Sequence, residues 1–155
     1  MTPAVKTAKL AGVPFQTHSY QHDPQHDSYG MEAAEKLGLP ADRVFKTLVV
    51  SIDGGGLAVG VLPVSSKLDL KALAKVLKVK KLVMAEPRAV ERSSGYVLGG
   101  VSPLGQKRKL PTVIDISATQ SSTIYVSAGK RGLEIELNPH DLATLLDATM
   151  AEIAK

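Results

Sequence analysis

The chain has 155 residues, a net charge of +4 and no cysteine. That length suits one domain with a sizeable core, and hydrophobic and charged fractions of 44% and 22% are ordinary for a globular protein. Disulfides, cysteine nucleophiles and thiolate metal sites are excluded, no apolar run approaches the ~20 residues of a membrane helix, and no secretory signal opens the sequence, so a cytoplasmic location is expected.

Thr2-Pro3 reads as an N-cap followed by proline at the first helical position, opening a short helix to about Leu10 that Gly12 ends. Pro14 to Tyr20 alternates like a strand. "QHDPQHDSYG" is a polar loop broken by Pro24. "MEAAEKLG" is helical, with Gly38 as its stop. The stretch "RVFKTLVVSID", Arg43 to Asp53, reads as a buried strand with one misfit. Lys46 shares a face with Val44, Leu48, Val50 and Ile52, while Phe45, Thr47, Val49 and Ser51 take the other. The turn Asp53–Gly56 and "LAVGVLP" complete a hairpin. "KLDLKALAKVLK" is an amphipathic helix with Leu70, Leu73, Ala74 and Leu77 as its apolar stripe. Lys67, Lys71, Lys75 and Lys78 share another face if the helix reaches back to Lys67.

"KKLVMA" is a short strand, followed by a brief helix and a glycine-rich loop up to Lys109. "LPTVIDIS" is a strand, and "STIYVSAGKRGLEIEL" a hairpin turning near Gly129 to Gly132. "NPHDLATLLDATMAEIA" is expected as one closing helix, with Leu142, Leu145, Leu146, Met150 and Ile153 toward the core. No repeat or linker appears. These elements predict one α+β domain over residues 1–155, with a mixed, curled sheet and helices around it. Charge is unevenly placed: eleven of the 19 basic residues but three of the 15 acids fall between Lys67 and Lys109. That fits a surface meeting a polyanion, or lysines that merely solvate a helix and its flanks.

Most catalytic motifs fail. "GVSPL" around Ser102 lacks the second glycine of a nucleophile elbow, and "GVSPLGQK" puts Gln106 where a phosphate loop needs lysine. His22, Asp23, His26 and Asp27 have metal-like spacing, but Pro24 prevents a helix from presenting both histidines, and no metal site is expected. His18 reads as a strand residue and His140 as a first-turn helix residue. Three features remain. Lys46 either snorkels to water or serves a pocket. Gly99 and Gly100, beside Val101 and Ser102, form a tight turn or aim main-chain N–H groups at a carbonyl oxygen gaining charge. Lys130 and Arg131 mark a plain basic hairpin tip or a phosphate contact.

Taken together, "FKT", "GGVSPLG" and "SAGKRGLE" resemble the YbaK-type Cys-tRNA(Pro) deacylases, and the likeness runs in order over nearly the whole chain. The resemblance implies an α+β fold with a mixed, mostly antiparallel, barrel-like sheet. It implies a trans-editing enzyme that removes cysteine from tRNA(Pro) beside prolyl-tRNA synthetase, without a cofactor. Cysteine is about as small as proline, and a synthetase pocket discriminates poorly by size. By the resemblance, Lys46 engages the acylated 3′ end of tRNA, and Tyr20 lines the pocket. Gly99, Gly100, Val101, Ser102 and Pro103 supply the donor loop. Phe45 and Thr47 flank the lysine, and Tyr29 closes the entrance. Ser127, Gly129, Lys130 and Arg131 lie near the terminal nucleotide. Glu134 stands where many relatives have aspartate, and Met31 replaces an expected acid. The implied chemistry uses the substrate's own thiol. Two alternatives stay open: a related deacylase that removes alanine from tRNA(Pro) with activated water, and a non-catalytic module that binds tRNA or the synthetase.

Overall fold

The computed structural model describes residues 1–26 and 28–155. The elements run α1 (Pro3–Ala11), β1 (Phe15–Ser19), α2 (Tyr29–Leu37), β2 (Phe45–Ile52), β3 (Leu57–Pro63), α3 (Leu70–Leu77), β4 (Leu82–Met84), α4 (Pro87–Ser94), β5 (Thr112–Asp115), a 3-10 turn (Ile116–Gln120), β6 (Ile124–Lys130), β7 (Leu133–Leu137), α5 (Pro139–Leu146) and β8 (Thr149–Ala151). Local chemistry sets most boundaries. The Thr2 hydroxyl accepts from Val5 N at the start of α1, and Gly12 ends it at φ 74°. Ser28 caps α2 by accepting from Met31 N, so that helix begins two residues before Met31.

The strands form two open sheets rather than a closed barrel. One has the order β1-β7-β6 and is antiparallel throughout. The other has the order β4-β2-β3-β5-β8, antiparallel from β4 to β3 and parallel from β3 to β8. Among the described residues a single parallel bridge, Val44 to Tyr125, connects them. Between the sheets lies the main core. Phe45, Val49, Val59, Val61 and Ile114 meet Ile124, Val126, Ile135 and Leu137, with Ala4 and Ala8 of α1 at its side. The far face of the larger sheet, including Val50, Ala58 and Val113, is covered by Leu73 and Ala74 of α3. Leu73 is fully buried; such a side chain contributes about 1.5–3 kcal/mol of apolar transfer.

This packing explains the misfit in β2. On the face that carries Lys46, Val44 is covered by Ala33 and Ala34 of α2, and Val50 by α3. Lys46 falls between the two coverings.

Two expectations are corrected. Lys67 is outside α3, because Asp69 caps the helix by accepting from Ala72 N. Lys71 and Lys75 remain on it. The closing segment is not one helix: α5 ends at Leu146, where Asp147 adopts φ 50°, and Thr149–Ala151 joins the sheet beside β5. The Asp115 carboxylate takes the N–H groups of Ile153 and Ala154, each at 2.9 Å. Ladder bonds and this clamp override the helical periodicity. Ile153 is still buried, but against Leu73 and Val113.

Candidate active site

Antiparallel ladders send alternate residues of a strand to the same neighbour. In β2 the even-numbered residues bond to β3, as Val64 N to Val44 O and Ile52 N to Gly56 O show at the two ends. The odd-numbered residues therefore turn their main-chain groups to the opposite edge. There Tyr125 N donates to Arg43 O at one end, and Ala85 N to Val49 O at the other. Between these points no described strand pairs with β2 at Thr47. A cavity of about 430 Å³ opens along this gap, and all five residues from Phe45 to Val49 line it.

Lys46 reaches the cavity half-buried, and its Nζ donates to Ser66 O at 2.6 Å. Burial holds its pKa below the ordinary lysine value. Among the described residues no carboxylate pairs with it. The Ser66 carbonyl is itself well placed. Lys67 and Lys155 exchange N–H···O bonds of 3.0 and 2.8 Å, and Asp69 N donates to Ile153 O at 2.8 Å. The corrected closing segment thus braces the loop that holds the lysine.

The glycine loop supplies another wall. Gly99 and Val101 line the cavity, but Gly100 does not, and its N–H donates to Val97 O at 3.0 Å. The N–H groups of Gly99 and Val101 have no acceptor among the described residues. Both glycines are required by close packing. A Cβ on Gly99, at φ 86°, would lie 2.7 Å from Arg131 Nε and 2.9 Å from the Tyr29 ring. One on Gly100 would lie 2.8 Å from the Lys130 Cα. The loop is seated directly on the tip of the β6–β7 hairpin, which is why the two motifs occur together. Arg131 does not line the cavity; its Nε donates to Leu98 O at 2.9 Å and its guanidinium lies 4.9 Å above the Tyr29 ring. Tyr29 does line it.

Tyr20 and Glu134 also line the cavity, with Ser127 directly across the β6–β7 register from Glu134. Burial, then the charge of Glu134, pushes the Tyr20 hydroxyl up to about 12. Glu134 is 6% exposed, and burial raises its carboxyl to about 8. The Thr47 hydroxyl is buried without a partner among the described residues. The remaining expected residues lie elsewhere. Ser102 is fully buried, with its Oγ accepting from Leu104 N. Pro103 borders a separate cavity of about 150 Å³. Gly129 packs on Tyr96 and Thr2, and Lys130 is exposed.

Other lining residues carried no signal in the sequence. Met84, Ala85 and Pro87 reach the cavity only because β4 pairs with the far end of β2. Gly30 lines it where a Cβ would sit 2.4 Å from Val64 Cγ1. Nearby, the fully buried Glu32 accepts from His22 Nδ1 and Asp23 N, both at 2.7 Å. Burial alone would raise its pKa; these bonds and Lys36 hold it below the ordinary value. His26 contacts Glu35, and Asp27 lies outside the described residues.

Residues 23–145 match the family model of aminoacyl-tRNA editing domains. The chain belongs to that family. The editing domain is 40% identical, over 152 residues, to an Enterococcus faecalis protein described as a candidate Cys-tRNA(Pro)/Cys-tRNA(Cys) deacylase; the match covers 98% of this chain and 92% of that relative. Its fold superposes on the crystal structure of the hypothetical protein APE2540 with a TM-score of 0.87, at 23% identity and 99% coverage of both chains. It superposes with a TM-score of 0.81 on a structure described as a candidate trans-editing enzyme for prolyl-tRNA synthetase, at 21% identity, covering 98% of this chain and 92% of the other. At those identities the two structures establish the fold of the editing domain and nothing further. No helix among the described residues is long and apolar enough to cross a membrane.

Proposed function

We propose that this editing domain hydrolyses cysteine wrongly esterified to tRNA(Pro), working in trans beside prolyl-tRNA synthetase. The observation that carries the reading is convergence. The Lys46 ammonium, the open main-chain edge at Thr47 and the Gly99–Val101 loop line one cavity of about 430 Å³. That volume is in the range of small-ligand sites, and the 40% identical relative is described as acting on Cys-tRNA.

The cysteine thiol attacks its own ester carbonyl. The carbon–sulfur bond forms, the ester carbon–oxygen bond breaks, and the ribose oxygen leaves with the thiol proton. Water then opens the small thiolactone to give free cysteine. The protein's part is orientation and charge. A well-aligned intramolecular attack is worth ~7–11 kcal/mol against a bimolecular reference, and a fixed oxyanion donor ~3–4 kcal/mol. Lys46 supplies a cation for the acylated 3′ end. Gly100 N–H is taken by Val97 O, so the loop's donors are the amides of Gly99 and Val101.

The test is a panel of aminoacylated tRNAs incubated with the purified protein, with ester loss followed over time. Cys-tRNA(Pro) is expected to disappear, while Ala-tRNA(Pro) and Pro-tRNA(Pro) persist. Preferential loss of Ala-tRNA(Pro) would transfer the reading to a water-activated alanine deacylase. Salt-dependent tRNA binding with every ester intact would leave only a binding module.

A further inference from the structure

Glu134 is a buried carboxyl that has no use inside the protein. It is 6% exposed, it lines the cavity, and no described residue hydrogen-bonds or ion-pairs with it. Its neighbours make their hydrogen bonds to other groups. His18, directly opposite in the β1–β7 register, places Nε2 on Glu136 at 2.8 Å. Ser127, opposite in the β6–β7 register, accepts from Gly129 N. Lys46, on another wall, donates to Ser66 O. The Tyr20 hydroxyl is also close, and it is a weak acid. Unpartnered buried carboxyls are costly, and their retention in a cavity points to a partner that arrives with the ligand.

We propose that Glu134 receives the α-ammonium group of the aminoacyl ester, and that the site therefore prefers esters of amino acids with a free amino group. The inference rests on the deacylase reading for its natural ligand but not for its geometry. The cavity carries a cation, Lys46, and apart from it a carboxyl, Glu134, and the two do not pair with each other. An aminoacylated 3′ end offers the matching pair: an ammonium on the acyl group and negative charge on the phosphate or the reacting oxygen. N-acylated esters, such as formylmethionyl or peptidyl esters of tRNA, carry no ammonium and leave the carboxyl unpaired. Burial alone raises this carboxyl to about 8, which favours the neutral acid near pH 7. Arrival of an ammonium favours the carboxylate, so binding releases a proton.

The probes are 3′-cysteinylamino-3′-deoxyadenosine, a non-hydrolysable amide, and its N-acetyl form. Affinities for both are measured by calorimetry in two buffers of different ionisation enthalpy, with wild type and the near-isosteric Glu134→Gln. Wild type is expected to bind the free-amine probe about tenfold or more tighter, the usual range for a hydrogen bond to a charged group, with proton release. Glu134→Gln is expected to bind both probes alike, with no proton release. Wild type binding both probes equally, or neither, overturns the inference, as does a glutamine variant that keeps the preference. A wild type that prefers the free amine yet cleaves no ester contradicts the deacylase reading and leaves the ammonium site standing.

Discussion

Burial disfavours the charged forms of both Lys46 and Glu134, lowering the pKa of the first and raising that of the second. The pKa of Lys46 is depressed by burial, so the unfolded chain binds a proton more readily than the folded one. Stability therefore rises with pH from the folded value up to the ordinary lysine range. At neutral pH the charged lysine destabilises the fold. Lys46→Met, which keeps the stem, is expected to raise the urea midpoint while abolishing ester cleavage; a lower midpoint would show that the Ser66 bond outweighs burial. Glu134 has the opposite sign. Its carboxyl titrates at about 8 in the folded chain, against an ordinary 4.5. Its contribution is complete below 4.5 and is lost as pH rises through 8. The loss is roughly 3–5 kcal/mol if the whole shift is realised. Glu134→Gln should flatten the fall in stability between pH 5 and 9, measured by denaturation at a series of pH values. An unchanged slope would mean that this carboxyl is not buried as described. At this scale the sequence was informative. The oddity of Lys46 could be read from strand alternation alone. The idle N–H of Thr47 could not, since it depends on which neighbour takes which residues of β2.

At the scale of elements, the glycine loop and the hairpin act as one unit. A methyl group on Gly100 meets the Lys130 backbone, which cannot swing aside as a side chain would. Gly100→Ala should cost about 1–3 kcal/mol of stability by overpacking. It should also lower kcat for ester cleavage, because Gly99 and Val101 move with the loop. Normal turnover by a folded variant would separate the loop from the chemistry. The Asp115 clamp has a comparable reach. Its carboxylate serves Ile153 N, Ala154 N and Ser117 N. Asp115→Ala leaves those donors unsatisfied, each at about 1–3 kcal/mol. It should reduce the denaturation midpoint and loosen the Ser66 loop, seen as faster amide exchange at Lys67 and Asp69. Caps are local, since Thr2, Ser28, Asp69 and Asn138 each accept from an N–H two or three residues on, yet only those at Thr2 and Asn138 are expected from the sequence. The final strand was not legible, since its partner β5 lies more than thirty residues earlier and its own periodicity also suits a helix.

In the whole molecule, the two sheets share a core but part along the edge of β2, and the cavity occupies the parting. Motif residues from five separate segments meet there: Tyr20, Tyr29, Lys46, Gly99 and Glu134. Ser102, Pro103 and Gly129 belong to the same motifs yet serve packing. Sequence proximity does not separate the two roles; only the fold does. All eleven basic residues between Lys67 and Lys109 are exposed, and of these Lys109 alone is ion-paired among the described residues, with Asp147. Association with tRNA should therefore weaken as salt rises, with a log–log slope of about 0.7–0.9 per phosphate contacted. Charge reversal at Lys71 and Lys75 together should reduce that slope; a salt-independent affinity would contradict a role for this surface.

The most direct test of the account is single-turnover cleavage of Cys-tRNA(Pro) by wild type and by Lys46→Ala, with folding of both checked by circular dichroism and thermal melting. Rapid release of cysteine by wild type and a fall of at least about a hundredfold in the folded variant is the predicted result. Comparable rates from the two proteins would show that this lysine does not act on the ester, and the proposed site would be wrong.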